Sequence, residues 1–272
     1  MYYIYPTHAS PLWDMMTKMI EENYITSENF NNVLLIASQN MNFDLIREQN
    51  PNKKIIVYQT EPLVFDHPNS LNWWNPTTII ETIKKADEVW DYDLENIKVL
   101  ESFGINAKFK PFVFTSTLKD IPENNSEDID ILFYGHLSEH RSNFITNFTQ
   151  GYKWTYEEFP IYSKLKTVIL INDYDKLLRE YISRSKIIVN LKPFDSKPRQ
   201  QQARIFYPLI NEKCVMSEWA PNNYFGENII QFTDTQDFGK KAIELIRTGN
   251  WKNYPVRSKD WSSFLTRQFI DQ

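Results

Sequence analysis

The chain has 272 residues, 30 basic against 35 acidic side chains, a formal net charge of −5, 42% hydrophobic residues, 6 glycines and 1 cysteine. The apolar share suffices for a packed core and excludes a disordered chain, while the lone Cys214 excludes an intrachain disulfide framework and a cysteine-built zinc site and fits a reducing compartment. The few glycines form neither a G-x-x-x-x-G-K-[ST] loop nor a G-x-G-x-x-G fingerprint, which excludes the usual signatures of P-loop nucleotidases and dinucleotide dehydrogenases, and the acidic balance argues against a simple nucleic-acid coat.

Short β-branched runs alternate with amphipathic stretches along the whole chain. A strand at 2–5 precedes a helix at 11–22 with Leu12, Met15, Met16 and Met19 on one face. Strands follow at 33–37, 54–58, 88–90 and 107–112, separated by helices at 43–48, 76–85 and 94–103. The polar stretch KDIPENNSE at 119–127 breaks this rhythm and reads as a linker. The alternation resumes with strands at 130–134, 153–156, 167–171, 186–191, 214–217 and 229–232. Helices are expected at 139–149, 174–183, 199–211 and 236–248, with Pro198 suited to the first turn of the third. The tail at 258–269 is amphipathic. Strands alternating with helices imply parallel βαβ units in doubly wound sheets.

The expected architecture is α/β, with two Rossmann-like doubly wound parallel-sheet domains facing a cleft. The N-terminal domain spans 1–118, the linker 119–127 and the C-terminal domain 128–254. Residues 255–272 form a C-terminal helix crossing back toward the first domain. The N-terminus lacks a basic region followed by an apolar one, and no apolar run approaches the roughly 20 residues of a membrane span. The reading is a soluble cytoplasmic protein with no membrane span.

In open parallel sheets ligands sit beyond the carboxyl ends of the strands, so residues just after strands carry the most weight. In the second half one strand runs into Gly135 and then Arg141. The next leads through Asn190 and Lys192 to a helix start that gathers Lys197, Arg199 and Arg204. Convergent cations at a positive helix end are what a diphosphate requires. Glu218 closes the following strand, where a carboxylate accepts ribose hydroxyls in dinucleotide folds. In the first half His8 lies in the loop after the opening strand and is a candidate general base. Tyr58, Thr60 and Glu61 end one strand; Asp91, Tyr92 and Asp93 end another. Glu61 and Asp91 are further candidate bases, and Asp93 equally suits a helix N-cap. Tyr58, Thr60, Tyr92 and the loop pair Trp73 and Trp74 are candidates for holding an acceptor. His136 and His140 stand four apart but without the H-E-x-x-H pattern, so no metal site is expected. No G-x-S-x-G elbow is present.

The segments IIVYQTEPL, ADEVWDYDLENIKVLESFGI, ILFYGHLSEHRSNFI, SKIIVNLKPF and RIFYPLINEKCVMSE, in that order across about 54–218, resemble short GT-B-type glycosyltransferases of bacteria and their phages. That group includes spore-maturation-protein-like members with a "glycosyl transferases group 1" domain. The resemblance implies a nucleotide-sugar donor, a UDP-sugar foremost, held by the C-terminal half, and an acceptor held by the N-terminal half. Gly135, Arg141, Lys192, Arg199, Arg204 and Glu218 would line the donor. His8, Asp91 or Glu61 would serve as base, with cations in place of an obligatory metal and no covalently bound cofactor. Many retaining members carry two Glu with seven residues between them near the last donor helix; here Arg199 and Tyr207 stand in those places. The chain is also short for the fold. The acceptor stays open between a glycan, a small molecule and a hydroxymethylated base of phage DNA. The basic residues Lys240, Lys241, Arg247, Lys252, Arg257, Lys259 and Arg267 are the candidates for DNA contact. The alternative is a non-catalytic nucleotide- or sugar-binding module, or a sugar-nucleotide epimerase on the same architecture.

Overall fold

A computed structural model describes residues 3–6, 11–25, 31–36, 42–65, 75–122, 126–150, 164–171, 176–193 and 199–256. The chain divides into two compact units, residues 1–115 and 116–272. The strand expected at 153–156 and the tail helix at 255–272 lie wholly or largely outside the described residues.

The first unit runs β1 (Tyr3–Pro6), α1 (Pro11–Asn23), β2 (Val33–Ile36), α2 (Phe43–Gln49), β3 (Ile55–Gln59), α3 (Pro76–Ile83), β4 (Glu88–Asp91), α4 (Leu94–Ser102) and β5 (Ala107–Phe109). The strands are all parallel and lie in the order β1-β2-β3-β4-β5. Every residue of β2 and β3 is buried, as befits strands covered on both faces, and this is why their sequences are apolar without alternation. Asn75 caps α3, accepting from the Thr77 and Thr78 amides, with Pro76 at the first position and Ile79, Ile80 and Ile83 buried. Each of those isoleucines contributes about 1.5–3 kcal/mol by leaving water. Asp93 caps α4 through the Glu95 amide at 2.9 Å. β5 stops at Phe109 rather than at 112: the Lys110 amide still reaches Asp91 O at 2.8 Å, but Pro111 has no N–H to continue the ladder.

The second unit contains β6 (Ile129–Tyr134), α5 (Glu139–Gln150), β7 (Thr167–Leu170), α6 (Lys176–Arg184), β8 (Ser185–Asn190), α7 (Gln202–Ile210), β9 (Cys214–Glu218), β10 (Ile230–Phe232) and α8 (Thr235–Thr248). Its parallel sheet has the order β10-β9-β8-β6-β7. The chain therefore reverses its winding direction between β6 and β8, and this makes the topological switch point of a doubly wound sheet. Phe144, Phe148, Phe232 and Phe238 pack edge to face or tilted, with centroids 4.9–5.6 Å apart, in the core over this sheet. Cys214 is buried in the same cluster, and burial pushes its thiol up to about 12.

Two sequence expectations shift. The helix expected from 199 starts at Gln202, because the Gln202 amide turns back onto Gln200 O at 2.9 Å, and Pro198 lies outside the described residues. The stretch expected as a linker begins, in its described residues, as a strap on the end of α7. The Tyr207 hydroxyl donates to Asp120 at 2.7 Å, Asn211 binds both Ile121 N and Leu118 O, and Lys119 pairs with Glu212.

Candidate functional site

The switch point opens at the carboxyl ends of β6 and β8. β6 ends in Tyr134 and turns at Gly135, whose φ is +127° and whose amide donates to Leu170 O at 2.9 Å. That backbone conformation is open to glycine and almost closed to other residues. There is a second reason for glycine: a side-chain carbon here would overlap the Arg204 guanidinium far inside van der Waals contact. The guanidinium lies against the bare backbone, with Nη1 donating to Tyr134 O at 3.1 Å. Arg204 forms no ion pair with any described residue and is half-buried. It is a planar cation with unused N–H groups at a strand end, which is the chemistry of a phosphate or carboxylate ligand.

α7 is shaped to hold that arginine. Pro208 sits inside the helix and has no N–H for the carbonyl of residue 204. The carbonyl left over accepts instead from the Tyr134 hydroxyl at 2.8 Å.

Arg141 differs from the sequence expectation. Its side chain is 2% exposed. Nε and Nη2 donate to Leu191 O at 3.1 and 2.9 Å, and Nη1 to His136 O at 2.8 Å, while the guanidinium lies 5.9 Å from the Phe133 ring centre. Arg141 therefore ties the loop after β6 to the loop after β8 rather than facing a ligand as an open cation. Glu218 is its counterpart of opposite charge. Both carboxylate oxygens accept from His140 Nε2 at 2.9 and 3.0 Å, and Oε2 also accepts from the Lys192 amide at 2.7 Å. A carboxylate only accepts, so Nε2 carries the imidazole proton. The Lys192 ammonium stands 3.9 Å from the same carboxylate. Glu218 thus holds two strand-end loops together and is not free to take a ribose in this conformation. Arg199 is half-buried at the entry to α7.

Two further residues complete the edge: Asn190, noted in the sequence only as a strand end, and Gln202, which sequence reasoning passed over. Asn190 donates through Nδ2 to Ser217 Oγ at 2.9 Å, but its Oδ1 is buried with no partner. Gln202, 1% exposed, has neither amide atom paired. Gln202 is hidden in the run Gln200–Gln202, and only burial sets it apart. Its neighbour Gln200 is closed onto Asn223 and the Tyr224 amide.

The first unit corrects several expectations. Asp91 is fully buried, with one oxygen accepting from the Asp93 amide at 2.7 Å and the other from Asn96 Nδ2 at 3.0 Å. It braces the start of α4 and is sealed away from any acceptor. Tyr58 is fully buried, its hydroxyl on Lys110 O at 2.8 Å. Burial above all, then Tyr24, Tyr92 and Asp91 nearby, push that hydroxyl well above its ordinary range. Tyr92 is buried against Phe112 at 4.7 Å between centroids, its hydroxyl on Thr60 O. Both tyrosines are core residues rather than a surface for an acceptor. Thr60 is buried with its hydroxyl unpaired. Glu61 is half-buried, and its carbonyl accepts from Gln59 and Asn96. His8, Trp73 and Trp74 lie outside the described residues. Among the described residues no three His, Cys, Asp or Glu side chains gather into a metal-holding group. No described helix is long and apolar enough to cross a membrane.

Three solved structures resemble this chain in fold. An α-glucosyltransferase in complex with UDP and a 13-mer DNA containing a central A:G mismatch matches with a TM-score of 0.57, over 98% of this chain and 95% of that one. TarM matches at 0.55 over 88% of this chain, and sucrose-phosphate synthase of Thermosynechococcus elongatus at 0.54 over 89%. The fold is that of the GT-B glycosyltransferases. Identity is 10% in all three, so the likeness is one of fold. The chain spans 51% of TarM's length and 70% of the synthase's. By sequence it is 25% identical over 209 residues to an uncharacterized protein of Acanthamoeba polyphaga mimivirus, covering 75% of this chain and 68% of that protein. No family model matches the chain.

Proposed function

We propose that the chain is a nucleotide-sugar-dependent glycosyltransferase of the short kind that its motifs resemble, acting in the cytoplasm without an obligatory metal. The observation that carries this is Arg204: a cation without an acidic partner among the described residues, laid on the bare backbone of Gly135 at the switch point of a GT-B sheet. A donor diphosphate fits there, against Arg204, the start of α7 and the Lys192 ammonium. As the glycosidic C–O bond breaks, charge builds on the departing diphosphate, and fixed cations stabilise that charge more than the ground state. Arg141 and Glu218 contribute by fixing the two loops. The GT-B neighbour solved with UDP supports a UDP-sugar as donor. With Asp91 sealed, His8 and Glu61 are the proposed bases that take the acceptor's proton.

The two units differ in charge. Residues 1–115 hold 15 Asp and Glu against 9 Lys and Arg. An acidic acceptor half repels a polyanion. Two of the basic residues considered for DNA contact are also occupied: Lys241 pairs with Asp237, and Arg247 with Glu244. These observations favour an uncharged acceptor, a glycan or small molecule, over DNA. The test is a thermal-shift screen of nucleoside diphosphates and UDP-sugars, followed by a donor-consumption assay. Stabilisation by UDP-sugars with consumption only in the presence of acceptor is expected. Stabilisation without any transfer across an acceptor panel would leave a binding module, and no response to any nucleotide would refute the reading.

A further inference from the structure

We propose that Gln202 and Asn190 select the transferred group, and that this group is an uncharged sugar ring with adjacent free hydroxyls. The proposal rests on reading the carboxyl edge of the second sheet as a donor site. Gln202 opens α7 two residues before Arg204, and Asn190 closes β8 two residues before Lys192. They are 1% and 3% exposed. Gln202 Nε2, Gln202 Oε1 and Asn190 Oδ1 are all buried without a partner.

Buried polar atoms are nearly always paired, and one left unpaired carries a desolvation penalty that a fitting ligand removes. A group seated on both side chains would meet one amide donor and two carbonyl acceptors. A carboxylate or phosphate brings only lone pairs, so both carbonyl oxygens stay unpaired and face negative charge. A deoxy position pairs with none of the three. A hydroxyl donates and accepts through one atom, so neighbouring hydroxyls satisfy the whole set. The open amide is not a general property of the glutamine run, because Gln200 is closed onto Asn223 and Tyr224. The two positions where retaining relatives place glutamates hold Arg199 and Tyr207, and the Tyr207 hydroxyl is engaged by Asp120 at 2.7 Å. Sugar selection therefore passes from a carboxylate pair to a pair of neutral amides.

The experiment is calorimetric titration of the full chain with UDP, with UDP-glucose, UDP-galactose and UDP-xylose, and with UDP-glucuronate. Wild type, Gln202→Met, Gln202→Glu and Arg204→Ala are compared. In wild type the best neutral UDP-sugar binds about tenfold tighter than UDP, the worth of one or two hydrogen bonds, and UDP-glucuronate binds no tighter than UDP. Gln202→Met binds UDP within about twofold of wild type, loses the tenfold increment, and melts a few degrees higher without ligand because an unpaired amide is gone. Gln202→Glu keeps the side-chain volume, removes the donor and also loses the increment. Retention of the increment in either variant, or UDP-glucuronate binding as tightly as the neutral sugars, overturns the proposal. If wild type does not bind UDP, or binds it equally well without Arg204, the donor-site reading itself fails and this proposal with it.

Discussion

Tyr134 and Arg204 hold each other by two hydrogen bonds that run in opposite directions. The Tyr134 hydroxyl donates to the Arg204 carbonyl at 2.8 Å, and Arg204 Nη1 donates to the Tyr134 carbonyl at 3.1 Å. The first bond exists because Pro208, one turn on, has no N–H to occupy that carbonyl. A residue that would ordinarily disturb a helix here frees the acceptor that joins α7 to the end of β6.

Replacing Pro208 by alanine returns an N–H to the helix and makes it compete for the Arg204 carbonyl. In wild type, Tyr134→Phe should cost about 1–3 kcal/mol, since it leaves a carbonyl unpaired. In a Pro208→Ala background the same change should cost less than about 0.5 kcal/mol. Urea unfolding of the four proteins in this double-mutant cycle measures the coupling; equal costs in both backgrounds would contradict this account of the proline.

Gly135→Ala should be damaging twice over. Its φ of +127° disfavours any side chain, and the added methyl occupies the place of the Arg204 guanidinium. The strain costs about 1–3 kcal/mol. Nucleotide affinity should fall at least about tenfold beyond what the stability loss explains. Thermal unfolding paired with UDP titration separates the two effects, and unchanged affinity would show that Gly135 does not set the position of Arg204.

Asp91→Ala should behave as a core mutation. It removes the acceptor for the Asp93 amide and Asn96 Nδ2 inside a fully buried network, at a cost of roughly 3–5 kcal/mol. Any loss of transfer should follow the unfolded fraction. A variant that is fully folded by circular dichroism yet inactive would restore Asp91 as a base.

Glu88 couples stability to acid. Burial raises its carboxyl, but hydrogen bonds from Lys108, Lys54 and the Trp90 indole outweigh that and bring it from its usual 4.5 to about 2. The folded-state value is the lower one, so Glu88 adds stability above about 4.5, and that stability drains away as pH falls toward 2. Glu88→Gln should flatten the pH dependence of the unfolding free energy across that window and leave its slope near neutrality unchanged. Urea unfolding at a series of pH values checks this.

Much of the fold was legible because buried parallel strands are written as short apolar runs. Val33–Ile36 and Ile55–Gln59 stand within a residue of the expected strands. Gly135 and Arg204, both singled out in the sequence, lie against each other in the structure; that they hold a donor is the proposal made above. The places of Arg141, Asp91, Tyr58 and Tyr92 were not legible. A polar residue at a strand end has the same sequence appearance whether it faces a ligand or braces a loop, and only burial separates the cases. Gln202 went unseen for the same reason: its unpaired amide is a property of packing, and two chemically identical neighbours precede it.

The most direct test of the donor site is calorimetric titration of UDP into wild type and Arg204→Ala, with both proteins shown to be folded by circular dichroism. Loss of charge-assisted hydrogen bonds to a diphosphate predicts a tenfold to hundredfold weaker dissociation constant, about 1.4–2.7 kcal/mol. Equal affinity in the two proteins would contradict the placement of the donor at Gly135 and Arg204.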